Sequence, residues 1–561
     1  MPAVPLLSRS TSSYVRVLSW LAMAWIIVFW RLGYPSLMDP DEAHYAELTR
    51  EMLRAGNWLV PLLDGQPYID KPILFHWLQG AAMTLLGETE FAVRLPSALA
   101  AIALFWTTRR AGMLMFGASV GEWAAVMFAT VPATFMLASI GLFDMVFSAL
   151  LFGGLVCLIE ASSTSSRRRE GAGYALLSLA VMIKGPVALV LIGLFCVAAW
   201  AAGGELRARV ARLRWKTGLV AAAVGASPWF VWMLAHFGDA FVQGYVLAGN
   251  LYYFTQPESW SSRAISHVFY LRSFAGGFFP WSVIALARLV ELARRRVTAG
   301  ADETMLWIWA AIVIGFFSLA RFKLDHYIFP AAPAICLLAS KAWHDAAVRR
   351  ETGGAVLAVS LGLGALLVVT GTFMAVYMFE LNLELPEAAI LLPIALGAGG
   401  TAMLERSARH RWGVPPHPIA LSTTLLAVYT VLVAVGLPTL ERVRPTALVA
   451  RTLKSHAPPD AVAAIYNLEQ WRASLRYYAE RPLARLSSPE EIEAFVRDGR
   501  PRYIIMRRRD YRALRNAGFA LREVYSCRAV LGTKRLQAGL RQQEWGYLVI
   551  VTNQPREVWL P

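Results

Sequence analysis

Apolar runs of about 15 to 25 residues, separated by short polar connections, fill the chain as far as about residue 440, which is the pattern of a polytopic bundle of membrane-spanning helices. They lie near 14–32, 93–108, 118–137, 141–161, 172–190, 190–203, 216–236, 277–294, 304–320, 326–343, 354–379, 388–404 and 417–437, which predicts about thirteen spans. Two connections are long, 38–91 and 236–280, and long ordered loops tend to carry function. Past residue 440 the apolar runs shorten to strand length. The segment 441–561 predicts a small α/β domain, with strands at Val462–Tyr466, Tyr503–Met506 and Tyr547–Thr552 and a helix around Gln470–Tyr478. A second helix opens at Ser488-Pro489-Glu490, with proline at its first position. The expected division is a transmembrane domain over 1–440 and an α/β domain over 441–561.

Composition agrees. The 561 residues are 57% hydrophobic and 16% charged, against about 25% charged in a soluble fold, so a soluble enzyme, a one-pass anchor and a β-barrel are excluded. Arg9 and Arg16 precede the first apolar run and no small-residue cleavage site follows it, so an uncleaved first span is expected. Three cysteines, Cys157, Cys196 and Cys336, lie in apolar runs and only Cys527 lies in the tail, so no disulfide framework is expected.

The net charge of +16 points to nucleic acid only until the charges are placed. Arg109–Arg110, Arg167–Arg169, the run Arg207 to Lys216, Arg294–Arg296, Arg349–Arg350 and Arg406 to Arg411 all fall in connections on one side. Positive-inside bias makes that side cytoplasmic and puts both long loops and the tail outside; no nucleic-acid role is needed.

The first long loop concentrates acids and aromatics. Met38-Asp39-Pro40-Asp41-Glu42 puts three carboxylates at the edge of a span, where they are expensive unless paired or used. A capped helix start is the plainer reading, with Asp39 as N-cap and Pro40 as first helical residue. Tyr45, Leu48, Met52 and Leu53 then form an apolar stripe opposite Glu47, Arg50, Glu51 and Arg54, which predicts an amphipathic helix lying on the membrane surface. Farther on, Tyr68-Ile69-Asp70-Lys71-Pro72 sets a lysine beside an acid ahead of an aromatic-rich helix, either as an interfacial snorkelling lysine or as a site.

The order Ala43-x-Tyr45-Ala46-Glu47-x-x-Arg50-Glu51-Met52, Gly56-Asn57-Trp58-Leu59-Val60-Pro61, Gly65-x-Pro67-Tyr68-x-Asp70-Lys71-Pro72-Ile73-Leu74 and Arg94-Leu95-Pro96-Ser97 resembles the GT-C membrane glycosyltransferases that use polyprenyl-phosphate sugars. Within them the chain is most similar to the bacterial lipid A 4-amino-4-deoxy-L-arabinose transferases and their protein-mannosyltransferase-like relatives, and Tyr477-Tyr478-Ala479-Glu480-Arg481-Pro482 resembles the tail of that branch. The resemblance implies a GT-C fold of about 13 transmembrane helices with a periplasmic C-terminal α/β domain in the bacterial inner membrane. It also implies an inverting transfer of aminoarabinose from undecaprenyl phosphate to a lipid A phosphate, by a monomer with its active site on the periplasmic side.

The resemblance also suggests residues. Asp41 matches the family's essential first-loop carboxylate, with Asp39 and Glu42 beside it, and Lys71 matches its lysine, a cation to meet the phosphate of the leaving polyprenyl chain. Tyr68 is a hydroxyl donor next to it. The second long loop offers Arg263, His267 and Arg272, and the connection before the tenth span offers Arg321, Lys323, His326 and Tyr327. Relatives carry a His-x-x-Arg-Phe block where this chain reads Asn250-Leu251-Tyr252-Tyr253-Phe254, and Arg263 is the candidate to replace the missing arginine. Asp144, at a span mouth, is a cap or a second site acid; Lys184, in Lys184-Gly185-Pro186, is a turn residue or a site base. The chemistry requires no cofactor, though a divalent cation could bind Asp70, His44 and His76. Two alternatives compete: a related transferase moving another sugar to protein or glycan, and a lipid-linked sugar transporter or flippase. A transporter should show broken spans repeated in two halves, and none is visible in the sequence.

Overall fold

The computed structural model describes residues 22–255 (24 and 31 apart), 268–295, 299–350, 354–380, 386–530 and 545–554. Each predicted span from 93 to 437 falls on helix, whereas most of the first lies outside the described residues. Among the described residues, seven helices are long and apolar enough to cross a membrane, or nine if each of two bent pairs is one span. Of the other expected spans, Val187–Ala201 is apolar but has 15 residues and Ala332–Val348 has 17.

The chain divides into two compact units. One comprises residues up to Leu32, Tyr68–Ala82 and Arg94–Val433, and the other Gly33–Pro67, Met83–Val93 and Ala434–Pro561. Much of the first long loop thus groups with the tail, whereas the sequence pattern places it with the spans.

In the first unit, backbone groups freed at helix breaks find partners, as an apolar medium requires. Pro132 forces Val131 out of the helical region, to φ −67° and ψ 130°, and the helices Ala118–Ala129 and Pro132–Ala138 meet at 64°. At that break the carbonyl of Thr130 accepts the Tyr429 hydroxyl at 2.7 Å, and the Trp281 indole donates to the Thr130 hydroxyl at 3.0 Å. Two arginines of this unit are also spent in ion pairs: Arg288, inside the helix Trp281–Arg295, donates to Glu303 at 2.8 and 3.0 Å, and Arg209, of the basic run Arg207 to Lys216, lies 2.5 Å from Asp302.

The second unit is built on a five-stranded sheet in the order Leu483–Leu486, Val462–Tyr466, Arg502–Arg507, Trp545–Thr552, Arg522–Val530. The first three strands are parallel and the last two antiparallel additions, with Ala464 opposite both Ala484 and Ile504, and Ile505 opposite Ile550. Parallel strands are covered on both faces, hence the continuous apolar runs of the two central ones. Ile504, Met506, Val549 and Val551 form its core with Ile492, Tyr511 and Leu514. The Ser488 hydroxyl accepts the Glu491 N–H, so the cap before Pro489 forms as the sequence predicts. The helix expected around Gln470–Tyr478 runs over Arg472–Ala479, after a 3-10 turn at Glu469–Trp471.

Candidate functional site

In the first unit, five segments bring titratable groups together. Lys184 ends the helix Arg167–Lys184, and its ammonium lies 2.5 Å from Asp144, in the first turn of Phe143–Thr164. His326, on the 3-10 helix Asp325–Ala331, places Nε2 3.5 Å from the other oxygen of Asp144. The Lys184 ammonium is also 4.9 Å from the centre of the Tyr327 ring. Asp144 and Lys184, two lone charges in the sequence, are thus one ion pair with a histidine and a tyrosine around it. Asp144 is buried and Lys184 and His326 half-buried.

Two glycines allow the remaining segments to approach. Gly185 has φ +78° and ψ −158°, a conformation open essentially to glycine alone, and a Cβ there would collide with the Tyr245 hydroxyl. Tyr245 lies on the π-helix Val242–Tyr252, where the Asn250 amide donates to its carbonyl at 2.7 Å. At Gly249, on the same π-helix, a Cβ would sit 2.7 Å from Asp70 Oδ1 and 2.9 Å from the Asp70 carbonyl, so the Asp70–Lys71 turn rests directly on that backbone. Lys71 donates to Asp70 at 2.7 Å, both side chains being 21% exposed. After the turn, Phe75 packs against Phe143, next to Asp144, at a ring distance of 4.4 Å. Two lysines, each held by a carboxylate, therefore share neighbours along one continuous contact chain. Pairing makes a cation tolerable where solvation is poor, and a phosphate arriving there can take over its hydrogen bonds.

The other expected cations go elsewhere. Arg263 and His267 lie outside the described residues. Arg321 is exposed, with its backbone N–H bonded to the Phe254 carbonyl at 3.1 Å, and Arg272 is exposed over Phe269. Lys323 is buried, which pushes its pKa down, and its ammonium donates to the carbonyls of Ser318 and Ala320 at the end of Ala301–Leu319. Tyr68 is half-buried beside the Asp70–Lys71 turn.

The expected metal set does not form: among the described residues no three His, Cys, Asp or Glu side chains are grouped to hold an ion. His76 is buried edge-on against Phe143, Asp70 is taken by Lys71, and the His44 ring faces Tyr45 at 5.6 Å.

In the second unit, the acid cluster opens the helix Asp41–Arg54, but the cap differs from expectation. Pro40 holds the N-cap position without a side-chain cap. The Asp39 carboxylate instead accepts the Ser474 backbone N–H at 2.8 Å and the Ser474 hydroxyl, with Arg444 at 3.8 Å. Burial raises the pKa of Asp39, outweighing the hydrogen bonds and Arg444 that lower it. Glu42 is buried and accepts the Met38 N–H at 2.7 Å; Asp41 is half-buried.

The surface-helix expectation also needs correction, because most of the charged side of Asp41–Arg54 is covered, Arg54 at its end alone being exposed. Glu47 and Arg50 are buried and paired with each other, and Arg50 also donates to the Tyr477 carbonyl at 2.7 Å and stacks 4.2 Å over its ring. Arg476 binds Glu47, Glu51 and Asp64 together. A basic helix from the tail neutralises the acidic side, so a pattern that resembles a water-facing surface is an internal interface.

Over residues 70–232 the chain matches the dolichyl-phosphate-mannose-protein mannosyltransferase family. It is 29% identical over 425 residues to the undecaprenyl phosphate-alpha-4-amino-4-deoxy-L-arabinose arabinosyl transferase of Edwardsiella ictaluri, covering 72% of this chain and 68% of the relative. It is 27% identical to the like-named protein of Yersinia enterocolitica, covering 67% and 69%. Among solved structures, ArnT from Cupriavidus metallidurans bound to undecaprenyl phosphate superimposes with a TM-score of 0.74 at 21% identity, over 97% of this chain and 99% of that one. The chain has the GT-C fold.

The family match over this GT-C chain contains Asp70, Lys71, Asp144 and Lys184 but stops short of the first-loop acids and the tail. Sequence reading of the GT-C motifs missed Tyr245, Ser474, Arg444 and Arg476. Tyr245 sits in an apolar stretch with no motif. Arg476 is one of the polar members of an amphipathic helix, and only its Tyr477-Tyr478 neighbours carried a signal.

Proposed function

We propose that the protein is an inverting glycosyltransferase that moves 4-amino-4-deoxy-L-arabinose from undecaprenyl phosphate to a phosphate of lipid A. The likeness to the aminoarabinosyl transferases, which extends over most of both chains, carries this reading. The proposed setting is the bacterial inner membrane, with the reaction at the periplasmic face and the protein acting as a monomer.

An acceptor phosphate oxygen attacks the anomeric carbon as the bond to the undecaprenyl phosphate oxygen breaks. A single in-line displacement inverts that carbon. The acceptor oxygen is already ionised near neutral pH, so no base is needed to deprotonate it. Asp41 therefore serves to orient the acceptor or to stabilise the oxocarbenium-like sugar. Lys71, released from Asp70, meets the charge gathering on the departing phosphate, and the Tyr68 hydroxyl assists it. Asp144 holds Lys184 and His326 beside Tyr327 as a second group of phosphate-facing donors. Both substrates are lipids, and placing a cationic sugar on lipid A lowers the negative charge that cationic peptides seek.

The test is transfer itself: purified protein with undecaprenyl-phosphate aminoarabinose and lipid A should yield lipid A heavier by one aminoarabinose. No mass gain with this pair, but gain with a mannosyl donor and a protein acceptor, would favour the activity named for the family matched over 70–232.

A further inference from the structure

The segment leading into Asp41 is held by the C-terminal part of its own unit at Ser36, Leu37 and Asp39. The Ser36 N–H and hydroxyl donate to Glu441 at 3.1 and 2.9 Å. The Leu37 N–H donates to the Tyr478 hydroxyl at 2.7 Å, and the Leu37 carbonyl accepts Arg444 at 3.2 Å. Asp39 is gripped by both donors of Ser474. The Tyr478 hydroxyl donates onward to Glu90 at 2.8 Å, which fixes its own rotor. Farther along, Arg476 ties Glu47 and Glu51 to the tail helix. Two acids of the cluster, Asp39 and Glu42, are therefore occupied in shaping the turn, and the third stands at the first turn of a helix whose direction these bonds set.

We propose that the tail is a positioning device for the first-loop acid: Ser474, Tyr478 and Arg444 fix the Asp39–Glu42 turn and thereby aim the Asp41 carboxylate. The proposal rests on the functional reading above, in which Asp41 acts on the transferred sugar or its acceptor. These three are positioning residues, since their bonds are to the turn, through which they act on Asp41. A misplacement near 1 Å at a reacting group can cost about a hundredfold in rate, so loosening this grip should appear in kcat.

The experiment uses full-length protein in lipid nanodiscs, with undecaprenyl-phosphate aminoarabinose and lipid A. In Ser474→Ala and Tyr478→Phe, kcat should fall at least about tenfold while KM for the donor changes by less than about twofold, the mark of a contribution made beyond ground-state binding. Ser474→Thr, which keeps a hydroxyl, should recover most of kcat. Hydrogen exchange at amides 37–44 should speed up in Ser474→Ala with exchange in the sheet unchanged. Unchanged kcat in both variants would overturn the proposal. So would a fall in kcat that merely follows a loss of folded protein and that threonine does not rescue. If the wild-type protein transfers no aminoarabinose, the functional reading fails. Hydrogen exchange then decides the grip alone: faster exchange at 37–44 supports it, and unchanged exchange refutes it.

Discussion

The Lys184 ammonium lies 2.5 Å from the Asp144 carboxylate, so two charges 40 positions apart in the chain neutralise each other at the ends of neighbouring helices. His326 completes the arrangement at 3.5 Å. An isolated charge at such a site is expensive, and each member of the pair makes the other tolerable.

Removing one partner should therefore be worse than removing both. Lys184→Met alone is expected to cost up to about 3–5 kcal/mol by leaving the buried Asp144 with His326 as its remaining basic neighbour, and Asp144→Asn in the same chain should restore much of it. Thermal midpoints of the two single variants and the double variant in detergent form the cycle. Additive losses would show that the pair is not coupled.

Asp41→Asn and Lys71→Ala should each reduce transfer by at least about 10²- to 10³-fold, the usual effect of losing one electrostatic contact made in the transition state. Both proteins should still insert and elute as the wild type does. Full activity in either variant removes that residue from the mechanism.

Gly185→Ala should destabilise the protein for two separable reasons. The left-handed backbone at φ +78° strains any residue with a Cβ, and that Cβ also meets the Tyr245 hydroxyl. Adding Tyr245→Phe should relieve the collision alone, leaving a residual strain of about 1–3 kcal/mol. The yield of folded protein and its thermal midpoint report both parts, and complete rescue would mean that the backbone contributes nothing.

Glu47 gives a pH dependence. Burial raises its pKa above the ordinary 4.5, against the pull of Arg50 and Arg476. The folded protein thus holds this proton more tightly than the unfolded chain. The resulting stability is fully present below pH 4.5 and is lost as the pH rises through the elevated pKa. The thermal midpoint of the wild type should accordingly decline more steeply from pH 4.5 toward neutrality than that of Glu47→Gln. Parallel slopes would show that Glu47 ionises as freely in the fold as in the unfolded chain.

What the sequence determined by itself is whatever depends on near neighbours. Apolar run length set the helices from residue 93 onward, Ser488-Pro489 set a cap, and continuous apolar stretches set the central strands of the sheet, because each responds to residues within a few positions. Motif order also marked Asp41 and Lys71. Only the tertiary structure decided how charges are used. Arg476 meets Glu47 across 429 positions, and Asp39, locally a plausible cap, is drawn instead to Ser474 across 435. The same holds for the helix Asp41–Arg54, whose polar face the periodicity assigns to water. A charged side chain looks alike in sequence whether water or a buried partner solvates it, and packing alone determines which of the two it meets.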